Sequence, residues 1–298
     1  PEGIAKGIEF FQQAIARDPR YALAYAGLAD CYRGLPIQSD VPSREAFPKA
    51  KEAVLKALEI DDQLAEAHTT LGWIKFWYEW DWGGAEKEYQ RALEINPDYP
   101  SAHIGYAHLL SSLGRHDEAL EEADRALKLE PLSSFNGAMK GQFLFHAGRY
   151  PQAVDQLQKT LEIEPNFWIG QLLLGRSYER EGRYEEALEA FRKARESGGT
   201  TGPLSFTGYT YAAAGRKGQA EHTLRELRSL SEQAYVPPYN MALIYNGLGD
   251  STEAVMWLER AYNERDVRMV FLGVDPLWDS LRSHPVFSSL LERMRLHK

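Results

Sequence analysis

A small residue recurs inside seven apolar stretches, at Ala29, Gly72, Ala107, Gly141, Gly175, Gly208 and Ala242, with steps of 43, 35, 34, 34, 33 and 34. A second small residue keeps the same register at Gly7, Ala50, Ala85, Ala119, Ala153, Ala187, Ala220 and Ala254. Seven positions later stand Ala14, Ala57, Ala92, Ala126, Thr160, Ala194, Leu227 and Ala261, and five beyond that Pro19, Pro97, Pro131 and Pro165. A fixed period of this length marks a chain built by stacking one supersecondary unit, since each unit buries its apolar face only against its neighbours.

Each unit reads as two helices. Trp168, Gln171, Leu174, Gly175 and Tyr178 lie at spacings that share one helical face, and Ala187, Leu188, Phe191 and Ala194 form a second such stripe. Between the two stands a glycine, Gly114, Gly148, Gly182, Gly215 or Gly249, able to take the left-handed conformation that ends a helix. Proline past the second helix stops it, and small residues at the crossing let the backbones approach.

These residues resemble the tetratricopeptide repeat, whose pattern of bulky residue, Leu-Gly, Tyr, Ala, Phe, Ala and Pro spans about 34 residues. The unit Trp168, Leu174-Gly175, Tyr178, Ala187, Phe191, Ala194 carries it best. The resemblance implies an all-α fold, a right-handed α-solenoid of about seven helix pairs within one domain spanning 1–298. An orphan second helix of a truncated repeat (1–20) precedes the pairs, and a C-terminal capping segment (267–298) covers the last repeat. Thr160 and Leu227 replace the packing alanine, and Gly199, Glu232 and Asp266 replace the proline, loosening those joints without moving the register. A nine-residue surplus around Gly34–Pro42 reads as an enlarged turn. The Asp18–Asp30 stretch, the Trp80-Asp81-Trp82 turn and the Val274–Phe287 stretch are similar to the C-terminal arrays of bacterial multidomain regulators. In that group the array follows a serine/threonine kinase or winged-helix domain, and neither is present here. Pro1 stands where a Met would open a chain, so the sequence reads as part of something longer.

The function classes narrow by subtraction. A formal charge of −9 with scattered Lys and Arg argues against nucleic acid as a partner. No apolar run reaches the roughly 20 residues that insert in a bilayer. The one cysteine, Cys31, rules out a disulfide framework and a multi-cysteine zinc site. The eight histidines form no metal-binding helical pair, and no nucleophile elbow or dinucleotide loop occurs. The expectation is a chain with no enzymatic activity, cofactor or metal, placed in the cytoplasm, or outside it if a parent protein is membrane-anchored.

One stretch breaks the register. FWYEWDWGGAE carries five aromatic residues in positions 76–82, and Gly72 to Ala85 is one residue longer than the same span elsewhere. Trp80 then falls where other units have glycine, and Asp81 is placed to cap the next helix. Trp80 and Trp82 are expected to fill this turn and pack on the neighbouring repeat. Trp73 and Phe76 belong to a different stripe, offset from the pairing face, which continues through His108, Gln142, Phe145, Arg176, Tyr209 and Tyr239. Aromatic and polar side chains on a concave face are what a peptide groove requires, and lying outside the pairing stripe they are expected to matter less for stability. The leading reading is therefore a protein-interaction scaffold binding a peptide or partner segment there, as a regulatory module of a larger protein. The alternatives are a sensor arm that binds a small ligand to control an attached domain, and an array that self-associates.

Overall fold

Amphipathic stripes at helical spacing become helices, and in five of the seven pairs the first helix ends where a glycine turns the chain. The computed structural model describes residues 2–198 and 200–296, in which sixteen α-helices and no strand occur. Helix α1 (Glu2–Arg17) is the unpaired second helix at the N-terminal end. Seven pairs follow: α2 (Ala22–Gln38) with α3 (Ser43–Ile60), α4 (Ala65–Ile74) with α5 (Trp82–Ile95), α6 (Pro100–Ser112) with α7 (His116–Leu129), and α8 (Ser134–His146) with α9 (Tyr150–Ile163). Then come α10 (Trp168–Arg180) with α11 (Tyr184–Glu196), α12 (Gly202–Ala213) with α13 (Lys217–Ser231), and α14 (Pro238–Gly247) with α15 (Ser251–Glu264). Helix α16 (Pro285–Met294) closes the chain. Gly199, one of the proline replacements, lies outside the described residues, as do Pro1, His297 and Lys298 at the ends of the expected domain.

The register has a steric cause. A Cβ on Gly141 would stand 2.5 Å from Leu157 Cγ, and one on Gly175 would stand 2.5 Å from Phe191 Cε1. Even-numbered helices touch their odd-numbered partners and also the even-numbered helices of adjacent pairs, so they line the inner face of the solenoid. A second device recurs at three of the entry turns. Nε2 of His68 faces the Asp62 carbonyl at 3.1 Å, Nε2 of His103 faces the Pro97 carbonyl at 2.8 Å, and Gln171 donates to the Pro165 carbonyl at 3.0 Å.

The extra residue of the irregular unit is absorbed as a π-helical turn at Lys75–Glu79, closed by Asp81 N–H donating to the Lys75 carbonyl at 3.0 Å. Single-residue insertions into helices characteristically take this form. Trp80 adopts φ 58°, the left-handed conformation held by glycine in other units, and Asp81 caps α5 by accepting from Gly84 N–H. The surplus near Gly34–Pro42 is only partly a turn. Helix α2 runs on to Gln38 through a buried Pro36, leaving Ser39–Pro42 as the connection.

The largest departure from expectation is the C-terminal segment. Beyond α15 the chain forms two 3₁₀ turns, Val267–Phe271 and Pro276–Leu281. They run along the inner face instead of covering only the last repeat. Met269, Leu272 and Trp278 are fully buried there. Contacts also join distant ends of the array: Asp40 accepts from Thr201 N–H and Oγ1 at 2.7 and 2.8 Å, Arg44 donates to the Asn263 carbonyl, and Trp82 Nε1 donates to the Met294 carbonyl at 2.8 Å.

Candidate binding cleft on the inner face

The C-terminal segment is held by specific polar bonds. Asp275 pairs with Arg176 at 2.6 Å, with both side chains buried, and also caps the second 3₁₀ turn through Leu277 N–H. Asn246 donates to the Leu277 carbonyl at 2.6 Å, and Trp278 Nε1 donates to Tyr239 Oη at 2.8 Å. The Arg176 guanidinium lies between the Phe145 and Phe206 rings, 4.5 and 5.0 Å from their centroids. Phe271 packs against His146 at 5.0 Å and His108 at 6.0 Å.

His108 stands in an aromatic box, with Phe143 at 4.9 Å and Trp73 at 5.0 Å. Burial, with Arg33's charge nearby, brings its pKa down to about 3, and burial takes His146 well below its ordinary value. Both rings are therefore neutral at physiological pH.

What remains of the concave space is a cleft of 220 Å³. One wall is the end of α2, from Arg33 to Gln38, and the other is formed by Phe135, Met139, Trp168, Ile169 and Leu172 of α8 and α10. Its floor is Trp77, His108, Arg176, Phe206, Tyr239 and the segment from Val267 to Asp275. Among the described residues, no group of three or more His, Cys, Asp or Glu is placed to hold a metal ion, and no helix is long and apolar enough to cross a membrane.

Three profiles of the family described as tetratricopeptide repeat match residues 79–139, 139–200 and 239–265, the units whose paired helices are described above. The chain belongs to the tetratricopeptide repeat family. Solved repeat structures agree in fold. The array superposes on a chain of the Cut9–Hcn1 anaphase-promoting-complex heterotetramer with a TM-score of 0.65 at 15% identity, covering 98% of this chain and 52% of that one. It superposes on the type IV pilus biogenesis factor PilW with a TM-score of 0.54 at 19% identity, covering 70% of this chain and 95% of PilW. Among curated proteins, 140 residues are 25% identical to transcriptional regulator HilA of Salmonella typhimurium, covering 47% of this chain and 25% of HilA. A shorter stretch of 51 residues is 37% identical to the small glutamine-rich tetratricopeptide repeat-containing protein 2 of Mycosarcoma maydis, covering 17% of this chain and 14% of that protein. The matched part is thus a quarter or less of these relatives' length.

Within the repeat array, the residues expected to form an open groove are covered. Trp73, Phe76, His108, Gln142, Phe145, Arg176 and Tyr239 are buried and Tyr209 is half-buried. His108, Gln142, Arg176 and Tyr239 line the cleft, whereas Trp73, Phe76, Phe145 and Tyr209 do not. The expectation that such residues matter less for stability than the pairing stripe is weakened by the same burial: Trp73 packs on Trp77 at 4.4 Å and on Tyr89 at 5.8 Å. Trp80 and Trp82 are buried as expected, but their partners are not the adjacent repeat. Trp80 packs at a tilt against Tyr262 at 4.9 Å beneath Arg265, and Trp82 bonds to the Met294 carbonyl. Sequence reasoning missed Phe135, Trp168, Ile169 and Leu172 at the cleft mouth because the first turn of a helix can face either the groove or the next pair. The covering segment itself carried a signal: Val267, Met269, Val270, Phe271, Leu272, Val274, Leu277 and Trp278 are too apolar a run for a surface cap.

Proposed function

We propose that the chain is a non-enzymatic regulatory interaction module whose protein partner docks on the apolar rim at the cleft mouth. The tetratricopeptide repeat is in general a scaffold for protein contacts, so the coarse reading follows from the family. The observation that carries the finer one is exposure. Phe135 is 44% exposed and lines the cleft together with half-buried Trp168, Ile169 and Leu172. Large apolar side chains gathered on a surface mark contact sites. His108, Gln142, Arg176 and Tyr239 act in this reading as the floor beneath the rim. The partial similarity to HilA, a transcriptional regulator, supports the regulatory assignment.

The test is a comparative pull-down from the source organism with the wild-type chain, a Phe135→Glu/Trp168→Ala variant, and a Met256→Glu control at an exposed residue of α15. Proteins retained by wild type and control but lost from the rim variant are the expected partners. Equal capture by all three chains would overturn the rim assignment.

A further inference from the structure

The cleft beneath the rim has a chemistry of its own. Its apolar lining includes Trp77, Met139, Leu172, Phe206 and Phe271, and its 220 Å³ suits a small ring system, since apolar cavities of about 150 Å³ hold benzene. Every cation in the lining already faces a carboxylate. Arg33 pairs with Asp30 at 2.5 Å, Arg176 with Asp275 at 2.6 Å, and Arg268 stands between Asp266 and Asp40 at 3.5 and 3.6 Å. An anionic ligand would have to compete with those carboxylates for the guanidinium groups, and a cationic one would meet the guanidinium groups themselves. Either would break a standing pair, leaving a charge uncompensated.

The Gln142 amide is one of several polar groups of the lining without a protein partner, alongside His108 Nδ1 and Arg176 Nε. Gln142 lines the cleft, is 7% exposed, and makes no side-chain hydrogen bond among the described residues. A primary amide offers both donors and an acceptor, and the Gln142 amide stays reachable from the cleft, whereas His108 Nδ1 and Arg176 Nε are closed off from solvent. Met139 adds a flexible wall able to close around an irregular shape.

We propose that the cleft is a binding site for one neutral, mostly apolar ring compound carrying a single hydrogen-bonding group, which the Gln142 amide reads. The site needs no protein partner, so its test is separate from that of the rim. Purified chain is titrated with phenylnaphthylamine, a neutral aromatic amine that fluoresces in apolar surroundings, and with anilinonaphthalene sulfonate, the same body carrying a negative charge. The expected result is saturable binding of the neutral probe at one site, with the sulfonate weaker by about tenfold or more. Ile169→Trp and Leu172→Trp fill the cleft from half-buried positions and should abolish binding, with circular dichroism confirming that both variants fold. Gln142→Leu should weaken the neutral probe by about tenfold without lowering the melting temperature. Four results would each overturn the proposal: no saturable binding of the neutral probe, sulfonate binding of equal strength, binding that survives both filling variants, or unchanged affinity in Gln142→Leu.

Discussion

Glu179 shows how the inner face treats a charge that has no partner. It is 7% exposed, its Oε2 lacks a hydrogen bond, and burial outweighs the attraction of Arg180 and Arg176, so its pKa rises to about 7. An acid whose folded pKa lies above its unfolded 4.5 holds its proton more tightly when folded. Its contribution to stability is therefore greatest below 4.5 and is lost as pH rises to about 7, by on the order of 3 kcal/mol. Glu179→Gln should raise the melting temperature near pH 8 and have much less effect near pH 4.5. Equal effects at both values would show an ordinary carboxylate. The histidines divide by the same logic. His68 and His103 each stand between a carboxylate and a carbonyl, both acceptors, an arrangement that favours the doubly protonated ring and raises its pKa against the opposing effect of burial. Their contribution is full below 6.5 and is lost as pH rises through the higher folded values. His108 and His146 are buried neutral, so the folded state weakens as pH falls below 6.5.

Helix α4 with its π-helical turn shows what one inserted residue does to an element. The turn re-aims Trp80 so that its ring meets Tyr262 and Arg265, at the cost of a left-handed φ on a residue with a large side chain. Trp80→Gly would relax that backbone and restore the residue type of the other units, yet it also deletes a buried indole. A net destabilisation of about 1–3 kcal/mol is expected, read as a lowered denaturation midpoint. A neutral or stabilising result would show that the ring contacts contribute nothing. The glycine register, the Asp81 cap and the left-handed position of Trp80 were legible in the sequence because each depends on residues a turn away. The π form was legible only as a miscount, since a helix and a loop can both absorb one residue. The path of the segment from Val267 to Leu281 was not legible. Arg176 meets Asp275 99 positions away and Trp82 meets Met294 212 away, and no period of the repeat encodes such pairings.

At the scale of the whole molecule, a stacked array ordinarily frays from its ends, because each unit is held only by its neighbours. Here Asp40–Thr201, Arg44–Asn263 and Trp82–Met294 join early pairs to late segments. Native-state hydrogen exchange should therefore give α3 and α15 amides opening free energies close to those of central α8 and α10. In an Asp40→Ala/Arg44→Ala variant, the amides of α3 and α15 should exchange first. Wild-type end helices that exchange far faster than the centre would refute the coupling. The same links bear on mechanics. An open coil lengthens under tension by changing its pitch, each unit giving a little. A coil fastened to itself at several points has no free pitch to give, so a pull on its two ends loads the fastenings before it loads the turns. A load applied at both ends would meet a stiff hoop and not a spring, until those few bonds part.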